Sequence, residues 1–366
     1  MITDADYEKI KRTPMFFIVG RPRTGSTLLR TLFDAHPNVT IPVEWPLILA
    51  LYKRFGHISQ WDKTKLEEFY NGLFEPLRFK YWNITNWPSV NLEQLHEDLL
   101  GCAGETSFET LIKVVYAHYN SFFEKKEILL FGDKNPVYSN QAADLAKIFP
   151  SAKFIHLTRD YRDNIVSMLD VDFEMPNVAL LAYRWKYSYR RIEAAATQNP
   201  GRFLRIRYED LVNEPKVSFI NLCGFLEIPF EPSVLEFHKK KHEIEKLYPK
   251  DMTDRYFSSL FKPIDPAKTG IYKSRLTIKQ IKMADLIVGE TADEAGYRRE
   301  FPGFNFLLFL WTFPAVLYSK WLYSVGWMVG LLPYKQMMWL LNKPSVIVKI
   351  YAWFFSHRGG SNGKAE

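Results

Sequence analysis

Met15-Phe16-Phe17-Ile18-Val19 runs without a break into Gly20-Arg21-Pro22-Arg23-Thr24-Gly25-Ser26-Thr27, and then into Leu28-Leu29-Arg30-Thr31-Leu32-Phe33. Five apolar residues in a row fit a parallel strand buried on both faces. The last segment places Leu28, Leu29, Leu32 and Phe33 on one helical face, and Pro37 stops that helix. Strand, glycine-bearing turn and helix together make an anion site, because first-turn amides converge on a ligand at the positive end of the helix dipole. The spacing Gly20-x-x-x-x-Gly25-Ser26-Thr27 nearly matches the nucleotide-triphosphate loop GxxxxGK[ST], but Ser26 stands where that loop has its lysine. A terminal phosphate would lose its main cation, which disfavours a kinase or NTPase, the alternative enzyme class for this loop. The loop instead carries Arg21 and Arg23 ahead of the second glycine.

Outward from this unit, the pattern repeats. Ile128–Phe131 reads as a strand leading into a turn at Gly132-Asp133-Lys134-Asn135-Pro136, and Lys153–Thr158 as a strand before a helix near Tyr161–Leu169. Phe203–Tyr208 leads through Glu209-Asp210, a plausible cap, into a helix through Val217, Ile220 and Cys223. Strand–helix units in series predict an α/β fold: a central, mostly parallel sheet with helices on both faces. The chain has 366 residues, 47% of them hydrophobic, which excludes a disordered protein. Residues 301–366 hold six lysines and arginines against Glu366 alone, so five of the seven net positive charges lie there. The near-neutral body is not the composition of a nucleic-acid-binding domain. Cys102 and Cys223 show no metal-ligand or disulfide spacing, fitting a reducing compartment, and residues 1–11 lack the apolar core of a secretory signal. Aromatics between 45 and 125 (Phe79, Tyr81, Trp82, Trp87, Phe108) read as helices and loops over an acceptor pocket, or as ordinary core.

Arg23-Thr24-Gly25-Ser26-Thr27-Leu28-Leu29 resembles the 5′-phosphosulfate loop of sulfotransferases that use 3′-phosphoadenosine 5′-phosphosulfate (PAPS). Asp34-Ala35-His36-Pro37 and Glu44 look most like the tyrosylprotein sulfotransferase branch and its bacterial relatives. The resemblance spans roughly residues 14–298 and implies the P-loop-like sulfotransferase fold, with Arg23, Thr24, Gly25, Ser26 and Thr27 gripping the donor. It continues at Phe154-Ile155-His156-Leu157-Thr158-Arg159-Asp160, where Arg159 and Ser167 correspond to the family's 3′-phosphate ligands. Arginine suits that task through its bidentate donors. Tyr208, in Arg207-Tyr208-Glu209-Asp210-Leu211, matches the tyrosine beside the adenine, and Lys273 and Arg275 resemble the late basic loop over the 3′-phosphate. Val171 stands where the tyrosylprotein branch has a second basic 3′-phosphate ligand.

For the chemistry, the resemblance implies that Glu44 is the base that deprotonates the acceptor, and that Lys134 and Arg23 offset charge on the transferred group, with no metal. Glu44 is the only acid between Asp34 and Asp62, in an otherwise apolar run, where burial raises a carboxyl's pKa. The stretch Leu276–Tyr297 reads as the domain's final helix. After Tyr297, five of the ten tryptophans interleave with lysines, and two uncharged windows, 301–319 and 321–334, fall at or below bilayer-spanning length. Trp, Tyr and Lys mixed in this way favour a headgroup interface, so residues 299–366 are predicted to be an aromatic, helical membrane-associating tail on an inner leaflet. A spanning hairpin and a tail folded onto the body are the alternatives. The reading is a cytoplasmic, peripheral membrane sulfotransferase with a small-molecule or lipid-like hydroxylated acceptor. A catalytically inactive membrane adaptor of the same fold is the non-enzymatic alternative.

Overall fold

The computed structural model describes residues 3–75, 87, 90–171, 173–246 and 258–342. The aromatics Phe79, Tyr81 and Trp82 and the end of the tail, including Trp353, lie outside the described residues. Five strands form one wholly parallel sheet: β1 Met15–Val19, β2 Val39–Thr40, β5 Leu130–Lys134, β6 Lys153–Thr158 and β7 Phe203–Arg207, in the order β2-β5-β1-β6-β7. Two short strands, β3 Gln60–Trp61 and β4 Gly104–Glu105, pair antiparallel away from it.

β1 sits at the centre, and this explains its unbroken apolar run. Met15, Phe17 and Val19 pack into the core on one face with the helix Phe108–Ala117. Phe16 and Ile18 pack on the other, against Leu29, Leu32 and Phe33 of the helix Ser26–Ala35. The Phe16 and Phe33 rings lie 4.7 Å apart. Leu28, placed on the same helical face by its spacing, packs at the edge of this core and also lines a cleft.

Three local expectations need correction. Gly132-Asp133-Lys134 is the end of β5, not a turn, and pairs with β1 through Ile18 opposite Lys134. Gly132 allows this, since a Cβ there would lie 2.5 Å from the Phe16 ring. Glu209 and Asp210 lie inside the first turn of a short helix, Tyr208–Asn213, rather than capping it, and Pro215–Leu226 follows as a separate helix. The final helix is split into Ile278–Val288 and Glu290–Glu294 by Gly289 at φ 60°. The described tail holds two helices, Phe306–Leu331 and Tyr334–Asn342. Phe306–Leu331 is one helix running through Pro314 and Lys320, so the two uncharged windows belong to a single element. It packs along the 21-residue helix Val178–Gln198 and along Ile278–Val288.

The parallel arrangement aligns the strand ends. The loop after β1, Lys134 at the end of β5, Arg159 after β6 and Tyr208 after β7 all emerge at the carboxyl edge of the sheet, where open α/β folds bind ligands.

Candidate active site

The loop after β1 is held by short polar contacts. Ser139 Oγ accepts from the Gly20 amide at 2.9 Å and donates to its carbonyl, Thr24 Oγ1 donates to the Arg21 carbonyl at 2.9 Å, and Asn164 Nδ2 donates to the Pro22 carbonyl at 2.8 Å. Arg23 is forced to φ 68°, and Gly25 to φ 92°, before the helix opens at Ser26. A non-glycine residue at positive φ stores strain, which the contacts around this loop hold in place. Gly25 is also needed for space, since a Cβ there would lie 2.4 Å from the Tyr208 ring. Tyr208 therefore covers the loop, and the first-turn amides of the helix have no partner within it.

Arg159 joins the elements of the cleft. Its guanidinium donates to the carbonyls of Arg23 (3.1 Å) and Lys268 (2.7 Å) and stacks 4.7 Å over Tyr208. Its buried Nε finds no hydrogen-bond partner among the described residues. Arg23 Nε donates to Ser167 Oγ at 3.0 Å, so Arg23, Arg159 and Ser167 are brought together. These residues line a cleft of about 430 Å³, together with Gly25, Ser26, Thr27, Tyr208 and Val171. Five basic side chains face it (Arg23, Arg159, Lys262, Lys268, Arg275) against Asp170 and Asp265. Burial lowers the Lys268 pKa, and the nearby Arg23 and Arg159 lower it further. Such crowding of like charges is costly unless an anion joins them. The donor chemistry of this set fits a ligand bearing separate phosphate groups.

At the far side of the loop, Thr27 Oγ1 accepts from Lys134 Nζ at 3.1 Å, and the same ammonium pairs with Glu44. Lys134 is buried and Glu44 nearly so. Desolvation raises the Glu44 carboxyl above its ordinary range, although Lys134, Arg30 and Arg23 all pull it down. Desolvation likewise lowers Lys134, against the attraction of Glu44. A buried carboxylate of raised basicity beside an ammonium of lowered pKa, next to an anion loop, can accept a proton and stabilise developing negative charge. Arg30, wholly buried, donates to the carbonyls of Ile41 (2.8 Å) and Pro42 (3.3 Å), to Asp34 (2.9 Å) and to the Tyr119 hydroxyl (2.5 Å). It thereby fixes the segment that carries Glu44.

Residues 14–232 match the model of the sulfotransferase family. The chain belongs to that family. Protein-tyrosine sulfotransferase 1 of Danio rerio is 28% identical over 233 residues, covering 62% of this chain and 56% of that protein. Protein-tyrosine sulfotransferase A of Caenorhabditis elegans is 24% identical over 268 residues, covering 70% and 60%. The chain thus spans little more than half the length of these curated relatives. Among solved structures, the sulfotransferase domain of the Synechococcus PCC 7002 olefin synthase is 23% identical at a TM-score of 0.49, over 74% of this chain and 93% of that one.

Two basic residues of the cleft escaped the sequence reading. Lys262 and Lys268 enter from the segment before Gly270, whereas Lys273 is exposed and is not among the cleft residues. Arg275 lines the cleft, yet its guanidinium pairs with Asp170 at 2.8 Å. Asp163 explains the arrangement by accepting from the amides of Gly270 (2.6 Å) and Tyr272 (2.9 Å), which turns Lys273 outward and leaves Lys268 beside Arg159. Only charge density between 262 and 275 hinted at this. His36 and His156, other conceivable bases, are engaged with the Pro229 carbonyl and Glu193. Among the described residues, no cluster of His, Cys, Asp or Glu is placed to hold a metal.

Proposed function

We propose that this chain transfers a sulfuryl group from PAPS to an acceptor hydroxyl or amine. Glu44 takes the acceptor proton, and the acceptor oxygen or nitrogen then forms a bond to sulfur. The bond from sulfur to the bridging phosphate oxygen breaks, and 3′-phosphoadenosine 5′-phosphate (PAP) departs. Lys134 and Arg23 offset the charge growing on that bridging oxygen and on the transferred group, while Thr24, Gly25, Ser26 and Thr27 hold the 5′-phosphate. Arg159 and Ser167 take the 3′-phosphate with Lys268, and Tyr208 covers the adenine side. The observation that carries this reading is the buried Glu44–Lys134 pair, joined through Thr27 to a cleft crowded with cations. Phosphoryl transfer is the physical parallel: positioning and charge compensation, with little covalent work for the protein.

Residues 14–298 form the catalytic domain in this reading, and the tail seats it on a membrane. A lipid, sterol or glycolipid hydroxyl suits that seat, and the tyrosine sulfotransferase relatives favour a peptide acceptor as the second reading. The basic tail and the buried, unbridged Cys102 and Cys223 support a cytoplasmic leaflet. Calorimetry with PAP and with 5′-AMP, which lacks the 3′-phosphate, tests the donor assignment. Arg159→Ala is expected to cost about 1.5–3 kcal/mol of PAP affinity and to leave AMP affinity nearly unchanged. Equal losses for both nucleotides, or none for PAP, would place the 3′-phosphate elsewhere.

A further inference from the structure

The helix Phe306–Leu331 is apolar nearly all round, yet only one side of it packs on the body. Its packed face carries Leu308, Ala315, Val316 and Tyr318 with the buried Thr312 and Ser319, whose hydroxyls donate to the carbonyls of Phe309 and Ala315, both at 3.0 Å. Its outward face carries Leu307, Trp311, Leu317, Trp321, Trp327 and Leu331, all about half exposed or more. A water-facing helix buries its apolar side, and an exposed apolar strip of this extent marks a docking surface. Lys320 is the one charge in the helix.

By length and composition this helix could cross a bilayer, but its anchoring argues for another orientation. It is tied to the body from one end to the other. Near its start, Lys279 Nζ lies 4.3 Å over Trp311, and Lys282 lies 4.9 Å over Phe301 just ahead of it. In the middle, Tyr323 stacks on Tyr187 at 3.9 Å, beside Arg184, whose partner Glu174 also pairs with Arg21 of the anion loop. At its end, Lys53 donates to the Gly330 carbonyl, and the following helix Tyr334–Asn342 lies on Ile48–Phe55, with Arg54 5.4 Å from the Tyr334 ring. Spanning would strip away all of these contacts.

We propose that the outward face of Phe306–Leu331 lies lengthwise in a single leaflet of an anionic bilayer while the helix stays docked on the enzyme. The tryptophans sit at headgroup depth, and Lys279, Lys282, Lys320 and Lys335 meet the anionic lipid. The docked helix runs about 39 Å across the body. It reaches from the neighbourhood of the donor loop, at Tyr323, to the helix that follows Glu44. The leaflet surface therefore lies alongside both halves of the site, and an acceptor would be presented from that leaflet. This deepens the membrane reading of the tail and stands independently of the sulfuryl chemistry.

The test uses the full chain with sealed phosphatidylcholine vesicles, with and without phosphatidylserine. The protein is expected to float with the phosphatidylserine vesicles. Trp311→Glu with Trp327→Glu is expected to reduce binding about tenfold or more. PAP affinity of that variant, measured in solution, should stay that of the parent, which shows that it is folded. Gly303→Cys and Gln336→Cys bracket the helix at exposed positions, and the native Cys102 and Cys223 are buried. In-plane seating leaves both introduced thiols open to an impermeant maleimide added outside. Protection of one of them means the helix spans, and overturns the proposal. Failure to float, with a concentration-dependent dimer in sedimentation, means a second copy covers the face, and overturns it too. Loss of PAP binding by the parent chain would count against the donor reading and leave the flotation result standing.

Discussion

Asp133 lies beside Lys134 at the end of β5, wholly buried, accepting from the Tyr116 hydroxyl at 2.5 Å and from Asn135 at 2.8 Å. Burial outweighs both donors and pushes its carboxyl up to about 6, from an ordinary 3.8. A carboxyl whose pKa is raised by folding contributes its full stability below the unfolded value and loses it as pH climbs through the folded one. Between pH 3 and 7 this one group should therefore subtract about 3 kcal/mol from stability. Asp133→Asn keeps an acceptor for Tyr116 and cannot ionise, so its urea midpoint should vary much less over that window than the parent's. An equally steep profile in the variant would show that Asp133 stays charged. At this scale the sequence was legible where chemistry is local. The loop residues, Arg159, Ser167 and Glu44 are proposed from the family resemblance, and the structure places them around one strand-end edge. Lys268 could not be named, since its place beside Arg159 depends on Asp163 accepting two amides more than a hundred residues away in the chain.

The helix Ser26–Ala35 does two jobs: its first turn faces the cleft, and its middle carries Arg30. That guanidinium is a buried charge compensated by Asp34 and by the Ile41 and Pro42 carbonyls. Removing one partner of a buried pair leaves an uncompensated charge, so Arg30→Ala should destabilise the fold by about 3–5 kcal/mol. A shift in denaturation midpoint below about 1 kcal/mol would mean that water relieves the cluster. Strand and helix assignments were strongest where the period was clear, at Met15–Val19, Lys153–Thr158 and Tyr161–Leu169. They failed at Gly132-Asp133-Lys134, where glycine and a charged pair suggest a turn. There, the approach of the Phe16 ring needs glycine within a strand, and Glu44 supplies the counter-ion that lets lysine be buried.

Across the whole molecule, one parallel sheet gathers four strand ends at one edge, and the family match over residues 14–232 covers all four. The cations that complete the cleft, from Lys262 to Arg275, lie beyond that match. Tyr323 of the apolar helix and Tyr334 of the helix after it then pack beside Arg184 and Arg54, next to the anion loop and the helix Ile48–Phe55. Composition foretold an aromatic, basic tail but not that Lys320 lies within a single helix, because the charge count alone divides it into two windows. The most direct test of the account is the transfer of radiolabelled PAPS sulfur to endogenous acceptors in membranes and lysate, comparing the parent chain with Glu44→Gln. Label is expected in an acceptor with the parent, without a requirement for magnesium. The variant, with PAP affinity unchanged, should turn over about 10²–10⁴-fold more slowly. Near-parental label transfer by Glu44→Gln, or magnesium-dependent ATP turnover in place of sulfuryl transfer, would contradict it.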